Sequence, residues 1–473
     1  MKPMIDPTLT PDDLARLTTE AFDWGISLVG FYELRHLYAG MEGQPAYRGI
    51  NRVQPTLDLF DAKVRYATTV NASTLYSGGM FDVSDGPAVL ETPAVNDGRY
   101  WSVQALDPHV DWFFMAGSQF TGNSAQKYVI VGPRWRGSLP DGFTGTEIVR
   151  APSDTFSLTV RVAVTTRTAE DMAGARAAVC GVRASPLALW LENGGRVPDL
   201  EDQPIVKGGY ASFARMDAIT DIGKSMTGVD YLQLLSLVLV DPTMTLRRDS
   251  MKECGTIERL ADLGLRDGVD FEPERLTDVQ RGAIERGFSQ ARIASRDAFD
   301  KTQIDMNGWR LQSSLFYDDL DYRSKAGAND VAWGTPVPYQ SHTIGYLFED
   351  SDGRPFDGAD SYTITLDVNN LPPVTEFWEI PVYDVQGYFI DNPENRYSVT
   401  SYLSDAGLYH TDEGQLTFYL QAERPKDANL ARNWLPVSTD GGFQLAARFY
   451  GPLSPLIDGS YPMPPAVRTS QPA

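Results

Sequence analysis

The sequence predicts an α+β protein that is mainly β, with two largely antiparallel β domains bridged by a helical segment. Short β-type runs, separated by glycine, proline and aspartate, fill two stretches of the chain, and runs of about five to nine residues at such spacing are typical of antiparallel sheets. Proline clusters such as Leu371-Pro372-Pro373 interrupt the second stretch. Because proline cannot donate to a ladder, these clusters are expected at strand edges, and the second domain is expected to be sandwich or jelly-roll-like.

The first predicted element is an N-terminal helix within residues 1–45. Thr10 is a natural N-cap, and Pro11 suits the first helical position. Apolar residues recur at helical spacing from Ala15 to Tyr38, so one face of the helix is apolar. We expect that face to pack on a sheet.

The first β domain is predicted at residues 46–185. Its β-type runs include VRYATTV, RYWSVQAL, KYVIVGP and FSLTVRVAV. A helix is expected near the end of this domain, because Thr168 can cap it and Glu170 and Asp171 would occupy its first turn.

A mainly helical connecting region is predicted at residues 186–344, followed by the C-terminal β-sandwich domain at 345–473. Within the connecting region, an amphipathic pattern runs from about Val229 to Phe299. The pattern breaks at Asp241-Pro242, where a helix is expected to end. The chain then becomes loop-rich before β-type patterns return.

Several motifs resemble those of one protein family. In the N-terminal half they are NASTLYSGGMFDVSDGPAVLETP, GRYWSVQALDP and GSQFTGNSAQKYVIVGPRWRG, and in the C-terminal half NNLPPVTEFW, NPENRY, NWLP and DGSYPMPPAV. Together they resemble the bacterial and viral proteins that pair the domains of unknown function 1254 and 1214, over a span from about Arg52 to Val467. The resemblance implies a 1254-like domain followed by a 1214-like domain. The family lacks an agreed activity, so the resemblance indicates an architecture and leaves the reaction open.

The charge of the chain argues against several classes of partner. Lys and Arg total 41 against 63 Asp and Glu, which gives a formal net charge of -22. Such a charge opposes non-specific binding of nucleic acid and of anionic membrane surfaces. The expected partner is a small-molecule or carbohydrate substrate. A homo-oligomer is also expected, because β domains have edge strands that need cover.

The sequence also predicts a cytoplasmic protein. The N-terminal segment has one early lysine and no apolar h-region, so it does not resemble a secretory signal. Cys180 and Cys254 lie far apart and are expected to be reduced and buried. The longest apolar run, 232–240, is much shorter than the roughly 20 residues that a membrane-spanning helix needs.

Sequence motifs for cofactor chemistry are absent. The chain contains no GxGxxG after a strand, no HExxH, no CxxC and no GxSxG, which argues against nucleotide-dependent oxidoreductases, zinc peptidases and α/β-hydrolases. Gly223-Lys224-Ser225 ends like a P-loop, but Ala218 stands in place of the first glycine. We therefore predict neither a cofactor nor a metal site.

The first candidate acid–base centre contains Asp107 and His109. If this segment is extended, Asp107, His109 and Asp111 project from one strand face, with neighbours roughly 6.5 to 7 Å apart. Two carboxylates around an imidazole could orient a general base or supply metal ligands. The alternative is that Pro108 breaks the strand, which leaves Asp107 as a turn acceptor and His109 exposed. The resembled family has an aspartate that matches Asp107 but usually an aromatic residue near 109.

Asn71, Thr74 and Tyr76 form a second candidate group, with Tyr76 as a catalytic residue and the other two as substrate-binding residues. The resembled family has an aspartate where Ser73 stands here, so a carboxylate is missing from this position. Asn and Thr side chains also stabilise turns by bonding to nearby backbone, which is the structural alternative.

Arg99 is the remaining catalytic candidate, because a planar guanidinium suits a carboxylate. Tyr100 and Gln104 would share one strand face, opposite Arg99, and are candidates for substrate binding. The other substrate-binding candidates are Trp112, Arg396 and Trp434. The structural alternative is that the arginines pair with acidic residues inside the fold and that Trp434 satisfies its N–H in the core.

These residues support two hypotheses of function. The first is a cofactor-independent hydrolase or lyase that acts on a small polar molecule or sugar unit in an aromatic-lined cleft between the β domains. The alternative is a non-catalytic carbohydrate-binding or assembly protein, in which the same aromatic side chains form a binding face or a subunit interface. A buried acid beside Tyr or His would favour the enzyme, and an open aromatic face without such an acid would favour binding.

Overall fold

The computed structural model describes residues 4–44, 46–65, 67–139, 141, 143–213, 216, 226–244, 251–266, 271–312, 321–332, 341–403 and 407–469. For residues 146, 252, 331, 332 and 403 the description is limited to the backbone. The Gly223-Lys224-Ser225 segment lies outside these ranges.

The first β unit is a sandwich of two sheets. Its strands are β1 (Gln54–Pro55), β2 (Thr74–Asp82), β3 (Ala88–Thr92), β4 (Trp101–Leu106), β5 (Trp112–Gly117), β6 (Gln126–Val131), β7 (Ile148–Arg150), β8 (Thr155–Ala163) and β9 (Arg183–Pro186). The sheet that faces the second β unit, called the first inner sheet, has the order β1–β2–β8–β4–β5. The outer sheet has the order β7–β6–β3–β9, and its β6–β7 pair is parallel.

Strand alternation builds the core of this first sandwich. Leu75, Val103 and Leu158 of the inner sheet are buried in one cluster with Leu90 and Ile130 of the outer sheet. Because successive side chains of a strand point to opposite faces, the residues between them project from the other face of the inner sheet. That second face carries the site described below.

The second β unit is also a sandwich. Its strands are β10 (Ile304–Met306), β11 (Trp309–Leu311), β12 (His342–Leu347), β13 (Ser361–Asp367), β14 (Val374–Asp384), β15 (Ser398–Thr400), β16 (Gln415–Gln421), β17 (Trp434–Pro436), β18 (Phe443–Pro452) and β19 (Val467–Thr469). The second inner sheet has the order β10–β11–β12–β18–β14–β15, and the outer sheet has the order β17–β16–β13–β19. Trp378 and Leu445 of the inner sheet share a buried core with Ile364 and Phe418 of the outer sheet.

Helices form a third layer. The helices are α1 (Pro11–Ala39), α2 (Ala169–Gly181), α3 (Leu187–Glu192), α4 (Gly228–Val240), α5 (Met251–Leu260), α6 (Asp278–Thr302), α7 (Tyr322–Ala332), α8 (Ala428–Ala431) and α9 (Ser454–Ile457). Helices α1, α4, α5, α6 and α7 contribute to one buried cluster, whereas α2 packs on β2 and β8 of the first sandwich. Thr10 and Thr168 cap α1 and α2 as predicted.

The apolar face of α1 packs mainly on other helices. Phe22 of α1 lies against Tyr231 of α4 and Phe288 of α6, with ring centroids 5.6 and 5.4 Å away. The expectation that this face packs on a sheet is therefore wrong for most of the face, although Met80 of β2 belongs to the same buried cluster. The reason is that α4 is apolar around most of its circumference and needs cover on several sides, which α1 and α6 provide.

The predicted fold class is confirmed, because two largely antiparallel β units are joined by helices. The second sandwich also recruits β10 and β11, which come from the region 186–344 that was predicted to be mainly helical. Helix α7 lies in a part of that region whose sequence had indicated loops.

Two further sequence expectations concern the helices and the cysteines. In the part of the chain that the structure describes, no helix combines the length and hydropathy needed to cross a lipid bilayer. Cys180 and Cys254 are not joined by a disulfide. Cys180 is exposed in the last turn of α2, so the expectation that it is buried is wrong.

Candidate functional site

The two inner sheets face each other with polar surfaces. Tyr100, just before β4, is buried against Tyr450 and Phe377 of the second unit, with ring centroids 4.9 and 5.6 Å away. This aromatic contact brings together the two strand faces that point away from the sandwich cores. The polar residues on these faces, which we call the interdomain site, are Tyr76, Gln104, Arg161, His342, Tyr346, Glu379, Arg448 and Tyr450.

The first β unit contributes a cation beside a phenol. Strand register places Tyr76 opposite Arg161 and Arg161 opposite Ser102. The guanidinium carbon of Arg161 lies 5.6 Å from the centroid of the Tyr76 ring. Arg161 also donates to Gln104 Oε1, while Gln104 Nε2 donates to Ser341 Oγ of the second unit at 2.7 Å. Tyr76 and Arg161 are half-buried, so both keep access to solvent.

The second β unit contributes a buried aromatic row and a charged row behind it. His342, Tyr450 and Phe377 lie side by side on three adjacent strands. The Tyr450 ring stacks on Phe377 with centroids 4.2 Å apart, and the His342 ring lies 5.1 Å from that of Tyr450. Arg448 and Glu379 lie opposite each other in the strand register of the next row, without an ion pair between them, and both are buried.

The segment just before β2 joins the two units. Asn71 Nδ2 donates to Tyr450 Oη at 2.7 Å, and the Ala72 N–H donates to Glu379 Oε1 at 3.2 Å. The second unit returns hydrogen bonds to the same segment, from Arg448 to the Thr69 carbonyl and from Tyr383 to the Val70 carbonyl. These bonds fix the position of one inner sheet against the other.

His342 is a buried side chain close to two arginines, Arg161 and Arg448. Burial lowers the pKa of His342 well below its ordinary value, and the nearby Arg161 and Arg448 lower it further. The imidazole is therefore neutral at physiological pH. Among the described residues, neither His342 Nδ1 nor Arg448 Nε has a hydrogen-bond partner. Since buried polar atoms are nearly always satisfied, a ligand or an ordered water between the sheets would complete this arrangement.

Glu379 is a buried acid of the site. Burial raises the pKa of the Glu379 carboxyl, and Arg448 beside it opposes that rise. Burial also raises the pKa of the Tyr450 phenol. A buried carboxyl next to a phenol is an arrangement that can hold and exchange a proton.

The turn between β4 and β5 contains Asp107 and His109. Asp107 Oδ1 accepts from the Asp111 N–H at 2.9 Å, and Val110 has a left-handed φ of 62°. The expectation that Asp107, His109 and Asp111 share a strand face is therefore wrong, because Pro108 ends the strand. The alternative is right about Asp107 as a turn acceptor. His109, however, is buried rather than exposed.

Arg99 is held inside the first β unit. Its guanidinium pairs with Asp97 at 2.7 Å and with Asp171 at 3.1 Å, and it donates to the Ala163 carbonyl at 2.9 Å. These contacts match the structural alternative, in which an arginine pairs with acids of the fold. Tyr100 instead donates to Ser102 Oγ at 2.9 Å on the face that carries the interdomain site.

The structure brings several of the sequence-predicted residues to this interface, namely Asn71, Thr74, Tyr76, Tyr100 and Gln104. The other substrate-binding candidates have different surroundings. Trp434 donates Nε1 to the Gln421 carbonyl at 2.7 Å within the second sandwich, as the structural alternative predicts. Trp112 lies on the edge strand β5, and Arg396 donates to the Arg432 carbonyl.

Sequence reasoning missed the charged part of the site. Arg161, Glu379 and Arg448 each lie in an otherwise apolar strand segment, which reads FSLTVRVAV, FWEIPV and LAARFY respectively. Charged residues are seldom fully buried unless they are paired. A charge in an apolar strand was therefore the signal that could have indicated these residues.

The fold and the site define a class of protein, in which two β sandwiches and a helical layer enclose one polar site. Among the described residues, no group of three His, Cys, Asp or Glu side chains is placed to hold a metal ion. The family described as "Protein of unknown function (DUF1254)" matches residues 50–186, and "Protein of unknown function (DUF1214)" matches residues 342–454. The chain belongs to the family of proteins that pair these two domains.

The fold is similar to that of solved structures. The crystal structure of the VPA0106 protein from Vibrio parahaemolyticus matches with a TM-score of 0.67 and 22% sequence identity, over 98% of this chain and 100% of that chain. An uncharacterized protein from Burkholderia cenocepacia matches with a TM-score of 0.43 and 12% identity, over 95% of this chain and 88% of that chain. No curated protein matches the chain.

Proposed function

We propose that the protein is a cofactor-independent hydrolase or lyase that acts on a small polar molecule at the interdomain site. The observation that carries this proposal is the placement of half-buried Tyr76 and Arg161 next to buried His342 and Glu379. Both classes of enzyme need a group that moves a proton and a group that stabilises developing charge. Tyr76 and Arg161 of the first β unit are candidates for these two roles, and His342 and Glu379 come from the second unit.

Tyr76 is the candidate for proton transfer, because its phenol can donate or accept a proton and the residue is half-buried. Arg161, oriented by Gln104, is the candidate for stabilising negative charge. Phe60 stacks on Tyr76 with ring centroids 5.2 Å apart. Together with Tyr346 it provides an apolar wall of the kind that lines small-molecule sites.

Glu379 favours the enzyme over a carbohydrate-binding or assembly protein. A binding face does not need a buried carboxyl, and burying one is costly. Here the buried Glu379 lies near Tyr450, which also contacts His342. A buried acid beside Tyr and His suits proton transfer, whereas simple binding does not need such a combination.

Incubation of the purified protein with a metabolite extract tests the proposal. Mass spectrometry measures which small molecules are consumed and which are formed. Tyr76→Phe is expected to slow that conversion by about 100-fold or more, the scale for loss of a positioned acid or base. Tyr388→Phe is the matched control, because Tyr388 is also half-buried under an arginine, Arg65, at 4.8 Å. Equal conversion by Tyr76→Phe and the wild type would contradict the proposal.

The location and assembly of the protein stay predictions. These are the cytoplasmic location, the homo-oligomer and the absence of nucleic-acid binding, all of which were inferred from the sequence. Light scattering coupled to size-exclusion chromatography measures the assembly directly.

A further inference from the structure

We propose that the interdomain site binds its substrate through a carboxylate, which is held between Arg161 of the first β unit and Arg448 of the second. This inference rests on the proposed function, because it assigns the chemical class of the molecule bound at the same site. Three sets of observations support it. They concern the balance of charge, the position of the two arginines and the shape of the groups around them.

The arginines at this interface lack the acidic partners that several arginines have elsewhere in the chain. Arg35, for example, pairs with Asp241 in the interior. Within the described ranges, Arg161, Arg167 and Arg448 have no carboxylate oxygen within 4.0 Å. A buried charge without a partner is unfavourable, and an anionic ligand would provide the missing partner.

Glu379 does not balance these cations. Its Oε1 accepts from the Ala72 N–H, and it supplies at most one negative charge against the three guanidinium groups of Arg161, Arg167 and Arg448. These four residues therefore keep an excess of positive charge even though the whole chain is acidic. The net charge of -22 does not cancel this excess. Exposed acidic residues farther than about 8 Å from the site are largely screened at physiological salt.

The two arginines approach His342 from opposite sheets. Gln104 accepts from Arg161 and donates to Ser341, the residue next to His342. Arg448 lies two residues from Tyr450 on the same strand face, and the Tyr450 ring lies 5.1 Å from that of His342. Arg448 Nε and His342 Nδ1, both in buried side chains, lack partners among the described residues. A bound carboxylate would accept from Arg448 Nε, and from His342 Nδ1 in the tautomer that carries its proton there.

The chemistry of the surrounding side chains favours a carboxylate on an organic molecule. A guanidinium presents a planar pair of N–H groups that matches the two oxygens of a carboxylate. The half-buried rings of Phe60, Tyr76 and Tyr346 lie next to these donors and suit the apolar body of a small acid.

Titration with simple acids and their amides tests the inference. Acetate and benzoate are added to the purified full-length protein, with acetamide and benzamide as neutral counterparts, and binding is followed by ligand-observed NMR. At least one acid is expected to bind saturably, with an affinity about 10-fold or more higher than that of its amide.

Arg161→Gln should weaken the binding of the acid by about 10-fold or more, since it removes a charged hydrogen bond. Arg161→Lys keeps the charge but loses the planar fork, so a several-fold loss is expected.

Arg310→Gln is the matched control, because Arg310 is exposed on the neighbouring strand β11 and its guanidinium also lies 5.6 Å from an aromatic ring, that of Phe348. The inference is overturned if neither acid binds the wild type, if the amides bind equally well, or if both Arg161 variants bind like the wild type. When the acids fail but Tyr76-dependent conversion is still observed in the extract, the carboxylate is wrong and the proposed function stands. When Tyr76→Phe also converts normally, the proposed function itself has failed.

Discussion

Gly287→Ala is expected to destabilise the protein by about 3 kcal/mol, the upper part of the range for overpacking in a close-packed interior. Gly287 lies where α6 crosses α1, and an added Cβ would be 2.3 Å from the Ala15 carbonyl oxygen and 2.9 Å from the Ala15 Cα. Both are backbone atoms, so a side-chain rotation cannot relieve the clash. The two helices would have to separate, which would also disturb the contact between Phe22 and Phe288.

Gly282→Ala is the matched control for this prediction. Gly282 lies in the same helix and has no atom within 4 Å of an added Cβ, so its replacement should stabilise the helix by about 0.5 to 1 kcal/mol. Urea unfolding of both variants measures the difference. Equal stability of the two variants would show that α1 and α6 do not cross at Gly287.

Glu33→Gln is expected to remove a large pH dependence of stability. Glu33 is buried in α1, and its Oε1 has no hydrogen-bond partner among the described residues. Burial raises the pKa of the Glu33 carboxyl from 4.5 to about 8. Between these two values the folded protein holds a proton that the unfolded chain releases, so stability falls as the pH rises through this window. Below it both states are protonated, and the contribution is fully present.

The expected size of this effect follows from the pKa shift. One proton corresponds to about 1.4 kcal/mol per pH unit, so the free energy of unfolding of the wild type should fall by about 3 kcal/mol relative to Glu33→Gln between about pH 5.5 and about pH 8. Chemical unfolding of both proteins across this range measures the difference. Parallel stability curves for the two proteins would exclude a protonated Glu33 in the folded state.

The sequence predicted the elements whose signals are local. The caps at Thr10 and Thr168 follow from side chains that bond within one turn, and the alternation around Tyr100 and Gln104 follows from strand geometry. Pro108 was equally informative, since β4 ends at Leu106, two residues before it. Such features depend on neighbouring residues and can be derived without knowledge of the tertiary fold.

The rest of the site depends on contacts between distant parts of the chain. Arg161 and Arg448 are far apart in sequence, and only the facing of the two inner sheets brings them to His342. Arg99 shows the opposite case, because a residue that suits a carboxylate ligand is occupied by Asp97 and Asp171. A charge in an apolar strand indicates an arginine of interest, but only the tertiary structure shows whether an acidic side chain reaches it.

The central claim is that the space between the two inner sheets is the functional site. Crystallographic fragment screening tests it most directly, because crystals soaked with many small polar and acidic molecules show where the protein binds such chemistry. We expect bound fragments to cluster beside Tyr76 and His342, with acidic groups between Arg161 and Arg448. Fragments that cluster elsewhere, with only water between the two sheets, would contradict the claim.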